Sequence, residues 1–307
     1  SLPGGCAIGA RPIDIHIDAL KKLGAEFSLD GGYVNCKAPN GLKGNKVDLK
    51  KISVGASENI IMAATLAKGE SEINNIAIEP EVIDLITCLK SMGSQIEFTE
   101  ERKILVQGKE SLSGTTHDII PDRIETGTYM IAGALIGNNL NIQNINKEHI
   151  QNILDVFEKL NINLSLGENN ISISKSDIEF GINLETEEYP GFPTDLQAQM
   201  MVLLSRSKKS SSIIENIFEN RFMHVPELNR MGANISIDGN KSIISASEEF
   251  IGAPVMATDL RASVSLVLAG LIAKGETIIN RIYHIDRGYE EIEKKISQCG
   301  GNIQRLK

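Results

Sequence analysis

Apolar residues recur at helical spacing in ALKKLGAEF, CLKSMGSQI, VFEKLNINL, ELNRMGANI and KISQCGGNI, and in each stretch the helical pattern stops and a strand-like alternation begins. The residues at the break are Gly24, Gly93, Asn161, Gly232 and Gly300, separated by 69, 68, 71 and 68 positions. Each copy predicts an amphipathic helix ended by a residue that tolerates left-handed backbone, followed by a strand. A second, Ala- and Leu-rich helix accompanies it in IMAATLAKGESEINN, MIAGALIGNNLNIQN and VSLVLAGLIAKGETIIN, with Gly69, Gly137 and Gly275 as the turn residues that end it. The pattern therefore predicts an α/β module of roughly 70 residues copied along the chain. Three copies fill residues 120–307 as one domain, and residues 1–119 hold about one and a half copies of another. The first copy opens in the loop before its helix, so the reading expects a chain that starts in mid-unit, N-terminally incomplete.

Composition narrows the function. The 307 residues are 41% hydrophobic and 23% charged, as expected of a globular protein. A net charge of -9, with aromatics at 4% and no Trp, argues against a nucleic-acid partner, since that role calls for a basic surface and stacking platforms. No apolar run reaches the length of about 18 residues needed to span a membrane, and no signal peptide is recognisable, so the expected setting is the cytoplasm. Four cysteines and five histidines show no ligand spacing, so no metal site is expected. Cys36, Cys88 and Cys299 fall inside element patterns and are read as core residues.

The chemistry-bearing types gather at the starts of the second helices: SVGAS (53–57), ETGT (125–128), PTDLQA (193–198) and ATDLRA (257–262). Thr194–Ala198 and Thr258–Ala262 repeat at a constant shift of 64. Such residues cap free backbone N–H groups; collectively, several helix N-termini could also cradle a phosphate. Asp195 could serve as a base. Arg261 either forks onto a phosphate or pairs with Asp259 or Asp286. Near the start, PGGC-x-IG is too Gly-rich for a core strand, which leaves Cys6 as an accessible loop thiol, either nucleophile or proton donor. Arg11 and Asp14 stand at the turn into the first helix, where Asp14 could instead be a cap.

LPGGCAIGARPIDIHI, KISVGASENI, PDRIETGT, GFPTDLQAQ, FENRFMHVPELNRMGA, ATDLRAS and RIYHIDRGYE, in this order, resemble the enolpyruvyl transferase family, and within it the UDP-N-acetylglucosamine 1-carboxyvinyltransferases. The resemblance implies a two-domain inside-out α/β barrel of six such units with the active site in the cleft between the domains, of which the first quarter would be missing here or supplied by a companion chain. It implies transfer of the enolpyruvyl group of phosphoenolpyruvate to the 3-hydroxyl of UDP-N-acetylglucosamine, the first committed step of peptidoglycan synthesis, without a cofactor. It implies that Cys6 protonates the methylene carbon, can form an adduct with phosphoenolpyruvate and is alkylated by fosfomycin. Asp195 would take the hydroxyl proton. Arg11, Pro12, Ile13, Asp14 and Ile15 would hold the uridine end, and Lys51, Ile52, Ser53, Val54 and Gly55 the diphosphate. Ile217 would give a backbone contact, and Arg261 and Arg287 would bind phosphate. The alternatives are the shikimate-pathway enolpyruvyl transferase, which lacks the Cys loop and RPIDIH; an RNA 3′-phosphate cyclase; and an inactive fragment that only binds.

Overall fold

A computed structural model describes residues 13–306. They form two compact units that divide between Ile120 and Pro121.

In the first unit, α1 (Asp14–Lys22) leads into a hairpin of β1 (Glu26–Asp30) and β2 (Tyr33–Lys37). A full module follows: β3 (Lys46–Asp48), α2 (Val54–Thr65), β4 (Glu70–Asn74), α3 (Pro80–Ser91), β5 (Gln95–Glu100) and β6 (Lys103–Gln107). Its sheet runs β3-β4-β6-β5, with β3 and β4 parallel across the α2 crossover and the other pairs antiparallel. The apolar faces of α1, α2 and α3 close over this sheet on Leu23, Ile60, Ile61, Ile73, Ile86 and Ile104.

The second unit repeats the plan. It contains α4 (Arg123–Ile136), β7 (Leu140–Gln143), α5 (Gln151–Lys159), β8 (Leu164–Leu166) and β9 (Asn170–Ile173). Then come β10 (Asn183–Glu185), a single 3-10 turn at Thr194–Leu196, α6 (Gln197–Leu204), β11 (Ser211–Ile214), α7 (Val225–Arg230), β12 (Asn234–Asp238) and β13 (Lys241–Ser245). Last are β14 (Pro254–Met256), α8 (Val264–Ile272), β15 (Ile278–Asn280) and α9 (Ile292–Gln298). The middle sheet, β10-β11-β13-β12, has the order and pairing senses of the full module in the first unit.

Helices α6 and α8 lie inside, and the sequence shows why. All eight residues of α6 are buried, including Gln197 and Gln199, and Val264–Ala269 of α8 are buried without a polar face. A helix that is apolar all round has nowhere to go but the interior. By contrast α5 puts Ile153, Leu154, Val156 and Phe157 inward and its charges outward, as a covering helix does. Helices α4, α6 and α8 pack against one another, and small residues let them approach. A Cβ on Gly127 of α4 would lie 2.5 Å from the Leu196 side chain.

The repeat turns are left-handed at all five positions: φ is +94° at Gly24, +96° at Gly93, +54° at Asn161, +100° at Gly232 and +89° at Gly300. The second-helix turns take two forms. Gly69 and Gly275 have φ of +98° and +86°, but Gly137 has φ of -62° and the left-handed residue there is Asn139, at +58°. Asn139, like Gly69 and Gly275, stands shortly before the following strand. The cysteine reading is corrected: Cys36 and Cys299 are exposed and Cys88 is half-buried, so none is a core residue, and a thiol tolerates such positions.

Candidate active site

In the second unit the N-terminal ends of α4 and α6 and the turn into α8 are tied together by side chains. Asp122 caps α4, accepting from the Ile124 and Glu125 N–H groups at 2.7 and 3.1 Å. ETGT therefore lies within the first turns of α4, one step past the cap. Ahead of α8, Asp259 accepts from the N–H groups of Arg261 at 2.8 Å and Ala262 at 2.5 Å, and Ser263 Oγ accepts from Thr258 and Asp259. These capping bonds follow from Asp and Ser at helix starts.

Arg261 reaches beyond its own turn. Its Nη2 donates to Asp122 Oδ2 at 2.8 Å and its Nη1 to the Gly288 carbonyl at 3.1 Å, and the guanidinium lies 5.2 Å from the Tyr289 ring centroid. The carboxylate partner is thus neither Asp259, which is committed to backbone, nor Asp286, which pairs with Arg305. Burial opposes the charge on Asp122, but the Arg261 guanidinium and the two backbone N–H donors outweigh it and hold the carboxyl below the usual carboxylate range. Behind this pair, Tyr289 Oη and Thr128 Oγ1 are 2.8 Å apart. Gln199 Nε2 donates to both at 3.3 Å and to the Asp195 carbonyl at 3.0 Å. The polar cluster links Arg261 to the turn that carries Asp195.

Asp195 stands on the 3-10 turn before α6 with its side chain 39% exposed. Its Oδ1 meets Arg221 Nη2 at 2.5 Å. Arg221 is buried, donates from Nη1 to Thr194 Oγ1 at 3.0 Å, and lies 5.1 Å from the Phe218 ring centroid. Beneath it is Glu215, 2% exposed. Its Oε2 accepts from Thr194 Oγ1 at 2.8 Å and Gln197 Nε2 at 3.2 Å, and its Oε1 from the Ile217 and Phe218 N–H groups at 3.0 and 3.1 Å. The Ile217 N–H is therefore used internally. Nearby His224 is wholly buried, its Nε2 3.3 Å from Met201 Sδ. Burial, with help from the Arg221 charge, pushes its pKa down to about 3, so it stays neutral and is no proton donor at working pH. Arg287 is exposed at the end of a 3-10 turn, Ile282–Arg287, that also carries His284, which burial and the charges of Arg281 and Arg287 hold below its ordinary pKa.

In the first unit, Ser53 caps α2, accepting from the Ala56 N–H at 3.4 Å, and the Val54 and Gly55 N–H groups have no carbonyl of the preceding turn to bond. His16 of α1 lies against this end: its Nδ1 is 2.7 Å from Asn59 Nδ2, and a Cβ on Gly55 would lie 3.3 Å from its ring. Ile13 is the N-cap of α1 and makes no side-chain cap; Asp14 is the exposed first helical residue, not a cap. Ile15, Ile52 and Val54 rest on the core, and Lys51 is exposed. Residues 13–16 and 53–55 are thus neighbours. Cys6, Arg11 and Pro12 lie outside the described residues.

Sequence reasoning named Asp195, Ile217 and Arg261 but missed Arg221, Glu215 and Asp122. A signal was present in FENRFMHV and PDRIETGT, where a charged residue interrupts an otherwise apolar or capping pattern. Among the described residues no group of three or more His, Cys, Asp or Glu is placed to hold a metal ion, and no helix is long and apolar enough to cross a membrane.

Residues 1–296 match the family described as EPSP synthase (3-phosphoshikimate 1-carboxyvinyltransferase). The UDP-N-acetylglucosamine 1-carboxyvinyltransferase of Pelagibacter ubique is 53% identical over 306 residues, and that of Gluconacetobacter diazotrophicus 50% over 307; each alignment takes in 100% of this chain and 73% of the relative. The enolpyruvyl transferase NikO of Streptomyces tendae superposes with a TM-score of 0.88 over 97% of this chain and 73% of its own, at 22% identity. An EPSP synthase of Acinetobacter baumannii does so at 0.72, over 95% and 72%, at 18% identity. These structural likenesses show the fold, that of the enolpyruvyl transferases. With half of its residues shared along its whole length, the chain belongs to the EPSP synthase family of carboxyvinyltransferases, alongside the UDP-N-acetylglucosamine 1-carboxyvinyltransferases.

Proposed function

We propose that this protein transfers the enolpyruvyl group of phosphoenolpyruvate to the 3-hydroxyl of UDP-N-acetylglucosamine, releasing phosphate, as a cytoplasmic step of peptidoglycan synthesis. The observation that carries the reading is the 53% identity, along the whole chain, to a relative of that name. The geometry supports it chemically. Addition of a hydroxyl across the enol double bond needs a base on the hydroxyl and an acid on the methylene carbon, after which the tetrahedral intermediate expels phosphate. Asp195, half-exposed with one oxygen anchored by Arg221, is the base. Cys6 is the acid. Arg261 and Arg287 offset the charge on the phosphate as it leaves. Ile217 contributes its carbonyl to the sugar nucleotide; Arg11 to Ile15 hold the uridine end and the start of α2, Lys51 to Gly55, the diphosphate.

The test is phosphate release by the protein carrying this chain. Release that requires both UDP-N-acetylglucosamine and phosphoenolpyruvate is expected; release with shikimate 3-phosphate in place of the sugar nucleotide would overturn the assignment in favour of the activity named by the family description. Replacing Cys6 by Ser should abolish both turnover and alkylation by fosfomycin, and unchanged turnover would remove Cys6 from the proton-donor role.

A further inference from the structure

We propose that Glu215 and Thr194 are positioning residues that fix, through Arg221, which oxygen of Asp195 meets the substrate hydroxyl. This rests on Asp195 being the base. An ionised carboxylate only accepts, and Glu215 takes a donor pair on each oxygen: Thr194 and Gln197 on Oε2, the Ile217 and Phe218 N–H groups on Oε1. Thr194 has one hydroxyl proton, and because Glu215 cannot donate, that proton points to Glu215. The Thr194 oxygen can then only accept from Arg221 Nη1, 3.0 Å away. The direction of every bond is thereby set, from Arg221 to Thr194 to Glu215.

The same carboxylate fixes the guanidinium from a second side. Phe218, whose N–H is bonded to Glu215, places its ring centroid 5.1 Å from the Arg221 guanidinium carbon. Held by a hydroxyl at one nitrogen and a ring across its face, the guanidinium presents Nη2 to Asp195 Oδ1 at 2.5 Å. That ion pair engages Oδ1 and leaves Oδ2 as the oxygen directed to take a proton. Glu215 also binds the turn that presents the Ile217 carbonyl, so base and substrate contact share one buried anchor.

The experiment measures kcat and KM by phosphate release for Thr194→Val, Thr194→Ser, Glu215→Gln and Asp195→Asn, with Tm for each. Thr194→Val keeps the shape and removes the relay, and kcat should fall at least tenfold while both KM values stay within about twofold, as expected when a reacting group is misplaced after binding is complete. Thr194→Ser restores the hydroxyl and should restore kcat to within about twofold. Glu215→Gln should lose at least as much as Thr194→Val; if it does not fold, the Thr194 pair decides alone. Parental kcat in Thr194→Val, or equal losses in the Val and Ser variants, would overturn the positioning role while leaving Asp195 as the base. Parental turnover in Asp195→Asn would instead overturn the reading of Asp195 itself, and the relay with it.

Discussion

The tripeptide Thr-Asp-Leu occurs at 194–196 and again at 258–260, each time at the entrance to an inner helix, and the two copies do different things. At 259 the aspartate is 3% exposed and both bonds it accepts at Oδ1 come from backbone N–H groups. At 195 the aspartate is half-exposed and its partner is the guanidinium of Arg221, twenty-six residues on. Thr194 bridges Arg221 to Glu215 through its hydroxyl, whereas at Thr258 the backbone N–H is bonded to Ser263. Local sequence made both turns; the neighbours decided that one aspartate accepts from backbone N–H groups and the other meets a guanidinium. Asp259 Oδ1 accepts two N–H groups of its own turn, whereas the Asp195 carboxylate turns to Arg221.

The contrast can be broken by substitution. Asp195→Asn should reduce turnover about a thousandfold, the scale of a lost general base, with little change in Tm because the amide still accepts from Arg221. A loss confined to KM would mean that both aspartates are structural. Asp259→Ala should act in the opposite register, lowering stability by about 1–2 kcal/mol through two unsatisfied N–H groups, measurable by urea denaturation. If Asp259→Ala leaves the midpoint in place, the capping assignment is wrong.

Asp122 combines the two roles, cap and ion-pair partner, and separates by pH. Its carboxyl is held below the usual range when folded, so its stabilisation is full above the unfolded value near 4 and disappears as pH falls through the folded value. Asp122→Asn, which retains an accepting oxygen for the cap, should cost about 1 kcal/mol at pH 7 after allowance for the solvent access of the pair, and nothing once the medium is acidic enough to protonate Asp122 in the folded protein. A difference from the parent that does not vary with pH would show that the Arg261 charge is immaterial. The repeat turns test local backbone geometry, and the smallest effect expected is at Asn161. Asn161→Gly should stabilise by a few tenths of a kcal/mol, because glycine adopts the left-handed geometry without strain. Gly232→Ala should destabilise by over ~1 kcal/mol, since its Cβ would lie 2.7 Å from the Glu249 carbonyl as well as demanding that geometry. Equal shifts at the two sites would show that the turn tolerates side chains alike in both copies.

Much of the architecture was legible because it depends on short-range patterns. The five left-handed turns follow from helix-stop chemistry, and the inner helices from apolar runs with no polar face. The cysteines misled because the period of an element tells which side faces inward only when the sheet or helix partner is known. In the site, Asp195 and Arg261 could be singled out at helix starts, but Arg261's partner could not, since Asp122 lies 139 residues away on another module.

The sequence by itself determined the repeated helix stops with their left-handed turns and the helix starts where polar and charged residues gather, because each depends on residues within one or two turns of one another. Only the tertiary structure decided which of two Thr-Asp-Leu turns has its carboxylate paired with a guanidinium, since that depends on Arg221 and Glu215 arriving from the segment after β11. A hydrogen bond has direction and a charge has a sign, and neither is set until the partner is in place.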